Sequence, residues 1–352
     1  MATPTLKDVA KAAEVHVSTV SRALKRDPAL PADTITRINS IAKQLGYRRN
    51  PLTTALMEAR RRGSPARFQA SIGLLAFSNK HTQNSERSWL ARVYKGASEA
   101  AKESGFAIEI YNLIQDGTNR PEQLERVLDS RGVQGLILPP EHEAPLPFEL
   151  PWDKYSYLSL HTGRATNTPR FNQIASNHHS STTLACSQSY KRGYKKVGLV
   201  LRDHPSNQVD YGRLVLGAFY ARSSLEPEEN QIPPLKITEL EVDTIAKWVK
   251  KHGPDVIIFA GGGFSLTFDQ KELIKRLATK GVSIGSEIGM VVLCQLPGEG
   301  IAGIDERPEE IGKHALQLLG DQVCRNERGI PSDPLTHFVD GIWVEGDTLP
   351  KR

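Results

Sequence analysis

The chain has 352 residues, 39% of them hydrophobic, and a formal net charge of +5. That length accommodates one small domain and one or two medium ones. No run approaches a membrane span, and Cys186, Cys294 and Cys324 lie too far apart for a metal clip or a disulfide framework, which fits a reducing cytoplasm.

The charge is concentrated. Residues 1–63 hold 12 Lys/Arg against five Asp/Glu, whereas the rest holds 33 against 35. A basic module on a near-neutral body is what polyanion binding requires. The segment carries acids and a capped helical pattern, which excludes a targeting peptide; no secretion signal is visible.

Helix one is predicted to open at Thr5, with Asp8 at the capping-box spacing. Leu6, Val9, Ala10 and Ala13 share its inner face. Glu14-Val15-His16 forms a short turn. Helix two runs from about Val17 to Leu24, with Val20 and Leu24 inward and Ser18, Thr19, Ser21 and Arg22 outward. Helix three spans about Ala32 to Leu45, burying Ile35, Ile38, Ile41, Ala42 and Leu45, and Gly46 stops it. Two short helices joined by a tight turn and braced by a third make a helix-turn-helix. Its second helix suits the major groove. Small hydroxyl residues let the backbone approach, and Arg22 can fork onto guanine O6 and N7.

Asn50-Pro51 then opens a short amphipathic segment with Leu52, Ala55, Leu56 and Ala59 on one face, followed by Arg60-Arg61-Arg62. A helix this short forms when paired with a twin and docked on DNA. Leu56 would then be a wedge in the minor groove that bends the duplex.

Residues 5–62 closely resemble the lactose/galactose repressor (LacI/GalR) family. The resemblance is carried by Thr5-Leu6-Lys7-Asp8-Val9-Ala10, Val15, Ser18-Thr19-Val20-Ser21-Arg22, Leu45-Gly46-Tyr47 and Asn50-Pro51. It implies that residues 16–22 are the recognition helix with its lead-in, and that His16, Val17 and Ser18 choose the operator. It further implies phosphate contacts from Thr5, Leu6, Ser21, Thr34, Tyr47 and Asn50, with Leu56 as the minor-groove lever. Thr53 and Met57 depart from hinge positions that are commonly alanine.

From about Phe68, β-rich runs alternate with helical stretches. In order they are Ser71–Phe77 (strand), Trp89–Ser104 (helix, ended by Gly105), Ala107–Leu113 (strand), Pro121–Arg131 (helix), Gly135–Leu138 and Tyr155–Leu160 (strands). Then follow Ser181–Arg192 (helix), Lys196–Leu201 (strand), Tyr211–Ser223 and Asp243–His252 (helices), Asp255–Phe259 (strand), Gln270–Lys280 (helix), Met290–Cys294 (strand) and Pro308–Asn326 (helix). This alternation predicts an α/β class with two parallel sheets flanking a cleft. The same family's effector domain, which looks like a periplasmic sugar-binding protein, is resembled over nearly the whole chain. The expected domains are 1–48 (helix-turn-helix), 49–67 (hinge helix and linker) and 68–352. The last splits into lobe one, 68–176 and 304–328, and lobe two, 177–303 and 329–352, with a final strand at about Thr336–Trp343 in lobe two.

Ligands of such sheets sit at strand C-termini. The candidates are Phe77, Asn79, Pro139, His161, Tyr211, Arg213, Phe264 and Gln295. The family often has an Asn-Asp pair where this chain reads Ala260-Gly261-Gly262-Gly263, and an aspartate pair where it reads Cys294-Gln295-Leu296-Pro297. The usual sugar-binding arginine has only Arg213 as an offset counterpart. These departures leave open a less polar or anionic effector, or regulation without one. Gly261–Gly263 lacks the following Lys-Ser/Thr of a phosphate loop, and His178-His179 do not share a helical face for a metal. No cofactor, metal or catalytic set is expected.

The sequence thus predicts a cytoplasmic, non-enzymatic DNA-binding regulator, a repressor, associated with the nucleoid when bound. Its partners would be a double-stranded, near-palindromic operator, a second copy of itself, and a small-molecule effector, a sugar or sugar derivative among the options. A transport protein, an α/β enzyme and a nucleoid-type structural protein are the rival classes.

Overall fold

The computed structural model describes residues 6–24, 29–45, 70–76, 89–112, 121–139, 150–160, 169–202, 211–260, 270–295 and 298–352. Three N-terminal helices, α1 (Leu6–Ala12), α2 (Val17–Ala23) and α3 (Ala32–Gln44), form where the apolar periodicity places them. Their shared core is Val9, Ala10, Ala13, Val20, Ala23, Ile38 and Ala42, so alanines let the helices approach closely around two valines and one isoleucine. Glu14 bends the α1–α2 turn through a left-handed backbone (φ 53°). Leu45, expected inside, is 40% exposed, because α3 ends one residue earlier and Leu45 is its C-cap.

The first sheet contains β1 (Ser71–Ala76), β2 (Ala107–Asn112), β3 (Val133–Leu138), β4 (Ser156–Ser159), β5 (Asn172–Ser176) and β11 (Thr336–Val339), in the order β11-β5-β4-β3-β1-β2. Each neighbouring pair runs parallel. The second contains β6 (Val197–Arg202), β7 (Leu235–Ile237), β8 (Val256–Ala260), β9 (Gly289–Val292), β10 (Gly303–Asp305) and β12 (Ile342–Val344), in the order β12-β10-β9-β8-β6-β7. It is parallel except for the β10–β12 pair. Parallel strands need helical crossovers, and burial on both faces makes their sequences continuous apolar runs.

The first sheet packs α4 (Trp89–Ser104) and α10 (Pro308–Arg325) on one face and α5 (Pro121–Ser130) near the aromatic cluster Tyr111, Tyr155, Tyr157 and Phe171 on the other. The second packs α6 (His178–Lys191) and α7 (Tyr211–Ser223) on one face, and α8 (Val242–His252) and α9 (Gln270–Ala278) on the other. Gly105 ends α4 with φ 74°, as predicted. Helices α4 and α10 touch through glycine: a Cβ on Gly96 would overlap the Glu309 carbonyl, and one on Gly312 the Val93 carbonyl.

Three crossovers join the lobes, at residues 176–178, 305–308 and 339–342. The lobe assignment of the C-terminal strands is corrected here. Strand β10 pairs in the second sheet, and only α10 after it returns to the first lobe. The single expected strand at Thr336–Trp343 is two: β11 completes the first sheet beside β5, and β12 completes the second beside β10. Gly341 makes the switch possible, since a Cβ there would press on Ile304 and on the Ser181 hydroxyl.

Candidate nucleic-acid interface and effector cleft

Helix α2 has a buried side and a solvent side. Val20 and Ala23 are buried against α3, while Arg22 and the preceding His16 are exposed and Thr19 is half-buried. The His16 carbonyl accepts the first backbone bonds of α2, from Thr19 and Val20, which places His16 at its cap. Thr34, half-buried, lies in the first turn of α3. Leu6, Val17, Ser18 and Ser21 lie in α1 and α2 by backbone position. Thr5, Tyr47, Asn50 and Leu56, with the whole hinge segment, lie outside the described residues.

The two sheets have the same strand order, with the first strand of each (β1, β6) flanked by its second (β2, β7) and third (β3, β8). The order therefore reverses beside β1 and beside β6, and ligand crevices of parallel sheets open at the C-terminal ends of such strands. Pro139 directly follows β3 at the first reversal and is buried. Gln295 follows β9, is 4% exposed, and its backbone N–H donates to the Ile304 carbonyl on β10. Tyr211 and Arg213 share the first turn of α7, the first buried and the second exposed. Phe77, Asn79, His161 and Phe264 lie outside the described residues.

Several polar groups at the crossovers escaped the sequence reading. His178 Nδ1 is 3.1 Å from Glu306 Oε1, and its ring packs edge-on against Tyr211 with centroids 4.5 Å apart. Asn177 caps α6 by accepting from the Ser180 N–H, and its amide donates to Asp340 Oδ1 at 2.8 Å. Arg92 on α4 donates to both Asp305 carboxylate oxygens and to Glu309. Burial works against the Arg92 charge, but its bonds and attraction to Glu309 and Asp305 outweigh that and hold its pKa above the ordinary arginine value. Gln270 opens α9; its amide reaches the Cys294 carbonyl at 3.4 Å, and its buried Oε1 has no partner among the described residues. No strand-helix pattern marks such residues, because their partners lie on other elements 100 or more positions away in several cases.

Residues 5–50 match the family described as "Bacterial regulatory proteins, lacI family". The match covers the helix-turn-helix whose buried core and exposed α2 have just been described. This segment is a LacI-family helix-turn-helix. The chain is a DNA-binding transcriptional regulator. Beyond that segment, it is 24% identical over 334 residues to the HTH-type transcriptional regulator PtxS of Pseudomonas plecoglossicida, covering 91% of this chain and 89% of that protein. A structure of the transcriptional regulator CelR in complex with cellobiose superposes with a TM-score of 0.58 at 17% identity, covering 98% of this chain and 99% of that one. The Lac repressor dimer bound to operator and the anti-inducer ONPF gives 0.54 at 17%, covering 99% and 100%. These likenesses show the fold of the chain: a helix-turn-helix joined to a two-lobed, periplasmic-binding-protein-like α/β domain. Among the described residues no helix is long and apolar enough to cross a membrane.

Proposed function

We propose that this regulator is a homodimeric LacI-family repressor whose two α2 helices read the halves of a near-palindromic operator. A two-fold protein calls for a two-fold site. The observation that carries the reading is α2 itself, with its apolar side in the helical core and His16 and Arg22 exposed beside it. His16, Val17, Ser18, Thr19 and Arg22 face the bases. Thr5, Leu6, Ser21, Thr34, Tyr47 and Asn50 hold phosphates, and Leu56 wedges the minor groove. The Lac repressor dimer of similar fold bound to operator supports this arrangement.

The two-lobed domain takes a small effector between the C-terminal ends of its sheets, and the cellobiose complex of CelR supports a sugar or sugar derivative. Phe77, Asn79, Pro139, His161, Tyr211, Arg213, Phe264 and Gln295 are the lining candidates. The run Ala260-Gly261-Gly262-Gly263 brings no acid to that region, so a less polar or anionic derivative fits better than a free sugar. An effector that prefers one lobe arrangement changes DNA affinity by linkage. The domains are 1–48, 49–67 and 68–352, the last dividing by sheet membership near 176, 306 and 340. The chain has no catalytic role, in keeping with relatives that are transcriptional regulators, and it works in the cytoplasm, on the nucleoid when bound.

Genome-wide binding followed by footprinting tests this. The expected result is discrete, near-palindromic sites, with Arg22→Ala weakening binding by about 1–3 kcal/mol at one base position. Uniform coverage of random fragments would sink the reading.

A further inference from the structure

We infer that Arg37 and Asn39 are positioning residues of the DNA-reading helix, tying α3 to the turn that leads from α1 into α2 and to the C-terminal end of α2. This rests on the reading of α2 as the base-contacting element. Arg37 Nη1 donates to the Ala13 carbonyl at 2.9 Å, in the turn just before α2. Asn39 Nδ2 donates to its own helix at the Ile35 carbonyl, 2.8 Å away, and to the Ala23 carbonyl, 3.4 Å away. Ala23 is the last residue of α2. Both acceptors are carbonyls at helix ends, which lack intrahelical partners and need donors from elsewhere.

The two ties straddle the apolar contact. At about 100° per residue, Arg37 and Asn39 leave α3 on opposite flanks of Ile38. Ile38 is fully buried between them, against a surface containing Val20 and Ala23. Apolar burial is non-directional: the buried core of four alanines, two valines and one isoleucine, with Val15, Leu24, Leu30, Ile35 and Ile41 packed against it, holds the seven-residue helix in place without a directional bond to fix its rotation or axial position. Hydrogen bonds are directional. Base reading demands that placement be held within about 0.5 Å and 10–20°. Phosphate attraction is far more tolerant of angle. Loss of a tie should therefore blunt sequence discrimination while leaving nonspecific affinity nearly intact.

A cationic side chain on this domain could instead contact phosphate, and the two roles differ in measurable ways. Arg37→Met removes the donors and keeps most of the stem. Asn39→Leu keeps the volume without any donor and changes no charge, so it guards against a simple folding failure; thermal melting and circular dichroism confirm that each variant is folded. Affinity is measured for a duplex selected from a random pool by the unaltered protein, and for a random duplex of equal length, across a salt series. The expected result is a loss of about tenfold on the selected duplex, under about twofold on the random one, and an unchanged salt slope in both variants. Equal losses on both duplexes for Arg37→Met, with the slope shallower by about one, would make Arg37 a phosphate contact and overturn the proposal. Unchanged discrimination in both variants, while Arg22→Ala erodes it, would also overturn it. Failure of the underlying α2 reading shows differently, as Arg22→Ala weakening both duplexes equally.

Discussion

Arg92 on α4 of the first lobe lies 3.1 Å from Asp305, the last residue of β10 in the second sheet, and 2.7 Å from Glu309 in the first turn of α10. One guanidinium thus bridges the sheets where the chain crosses between them. Its side chain is 10% exposed, so water screens the contact little. The backbone there is also fixed: Arg307 adopts a left-handed conformation (φ 55°), and its N–H donates to Asp305 Oδ1.

Arg92→Leu would leave two carboxylates facing each other without a cation. Removing one partner of a buried pair costs about 3–5 kcal/mol, and the lower end applies here because Glu309 keeps about a third of its side chain in water. The expected result is a lower denaturation midpoint for the two-lobed domain. Adding Asp305→Asn should recover part of the loss, since the residues share one network. Strictly additive losses in chemical denaturation would show that Arg92 acts by packing alone.

The same pair predicts an acid dependence. Partial burial by itself would raise the Glu309 pKa, but the hydrogen bond from Arg92, a backbone bond and the attraction of Arg92 hold it below its ordinary value of 4.5. A carboxylate with a depressed folded pKa stabilises the fold fully above its unfolded pKa. That contribution disappears as pH falls through the lower, folded value. Stability should therefore drop on acidification below about pH 4.5, and Glu309→Gln should drop less steeply over the same interval. Parallel stability–pH curves for the two proteins would contradict the linkage.

What could be read from the chain alone follows from range of interaction. The buried strands and amphipathic helices declare themselves through local periodicity, so β1, α4 and α7 lie within a residue of their expected bounds. Strands β7, β10 and β12 have three residues each, too few for any period to register. Strand β5 was also missed: Asn172 and Gln173 dilute its apolar run. Pairing partners were harder still, because β11 finds β5 across more than 160 positions, and a single expected strand became two in different sheets. The helix-turn-helix was legible through its motif. The Arg37 and Asn39 ties, and the cluster His178, Glu306 and Tyr211, were not, since nothing in spacing predicts which distant carbonyl or carboxylate a side chain will meet.

Cysteine chemistry gives a third test. Cys186 on α6 is 1% exposed, and burial pushes its thiol up to about 12. The thiolate is the reactive form, so Cys186 should resist alkylation in the native protein on both counts. Cys324, exposed on α10, should react with iodoacetamide at pH 8. Peptide mapping after a short pulse should find label at Cys324, and at Cys186 only after denaturation. Rapid labelling of Cys186 in protein with an unaltered circular dichroism spectrum would place α6 differently.

The N-terminal helices should fail independently of the rest. Ile38 is fully buried at the centre of their core, and truncating such a residue costs about 2–5 kcal/mol. A three-helix unit this small, with a buried core of one isoleucine, two valines and four alanines and Val15, Leu24, Leu30, Ile35 and Ile41 packed around it, has little stability to spare. The core of the two-lobed domain consists of separate clusters that share no residue with it. Ile38→Ala should therefore abolish DNA binding and lower the helical signal, while the main thermal transition stays within about one degree of the unaltered protein. Ile38→Val, which removes a single methylene, should retain binding at a cost of about 0.5–1.5 kcal/mol. A downward shift of the main transition in Ile38→Ala would instead show that the helices and lobes melt as one cooperative unit.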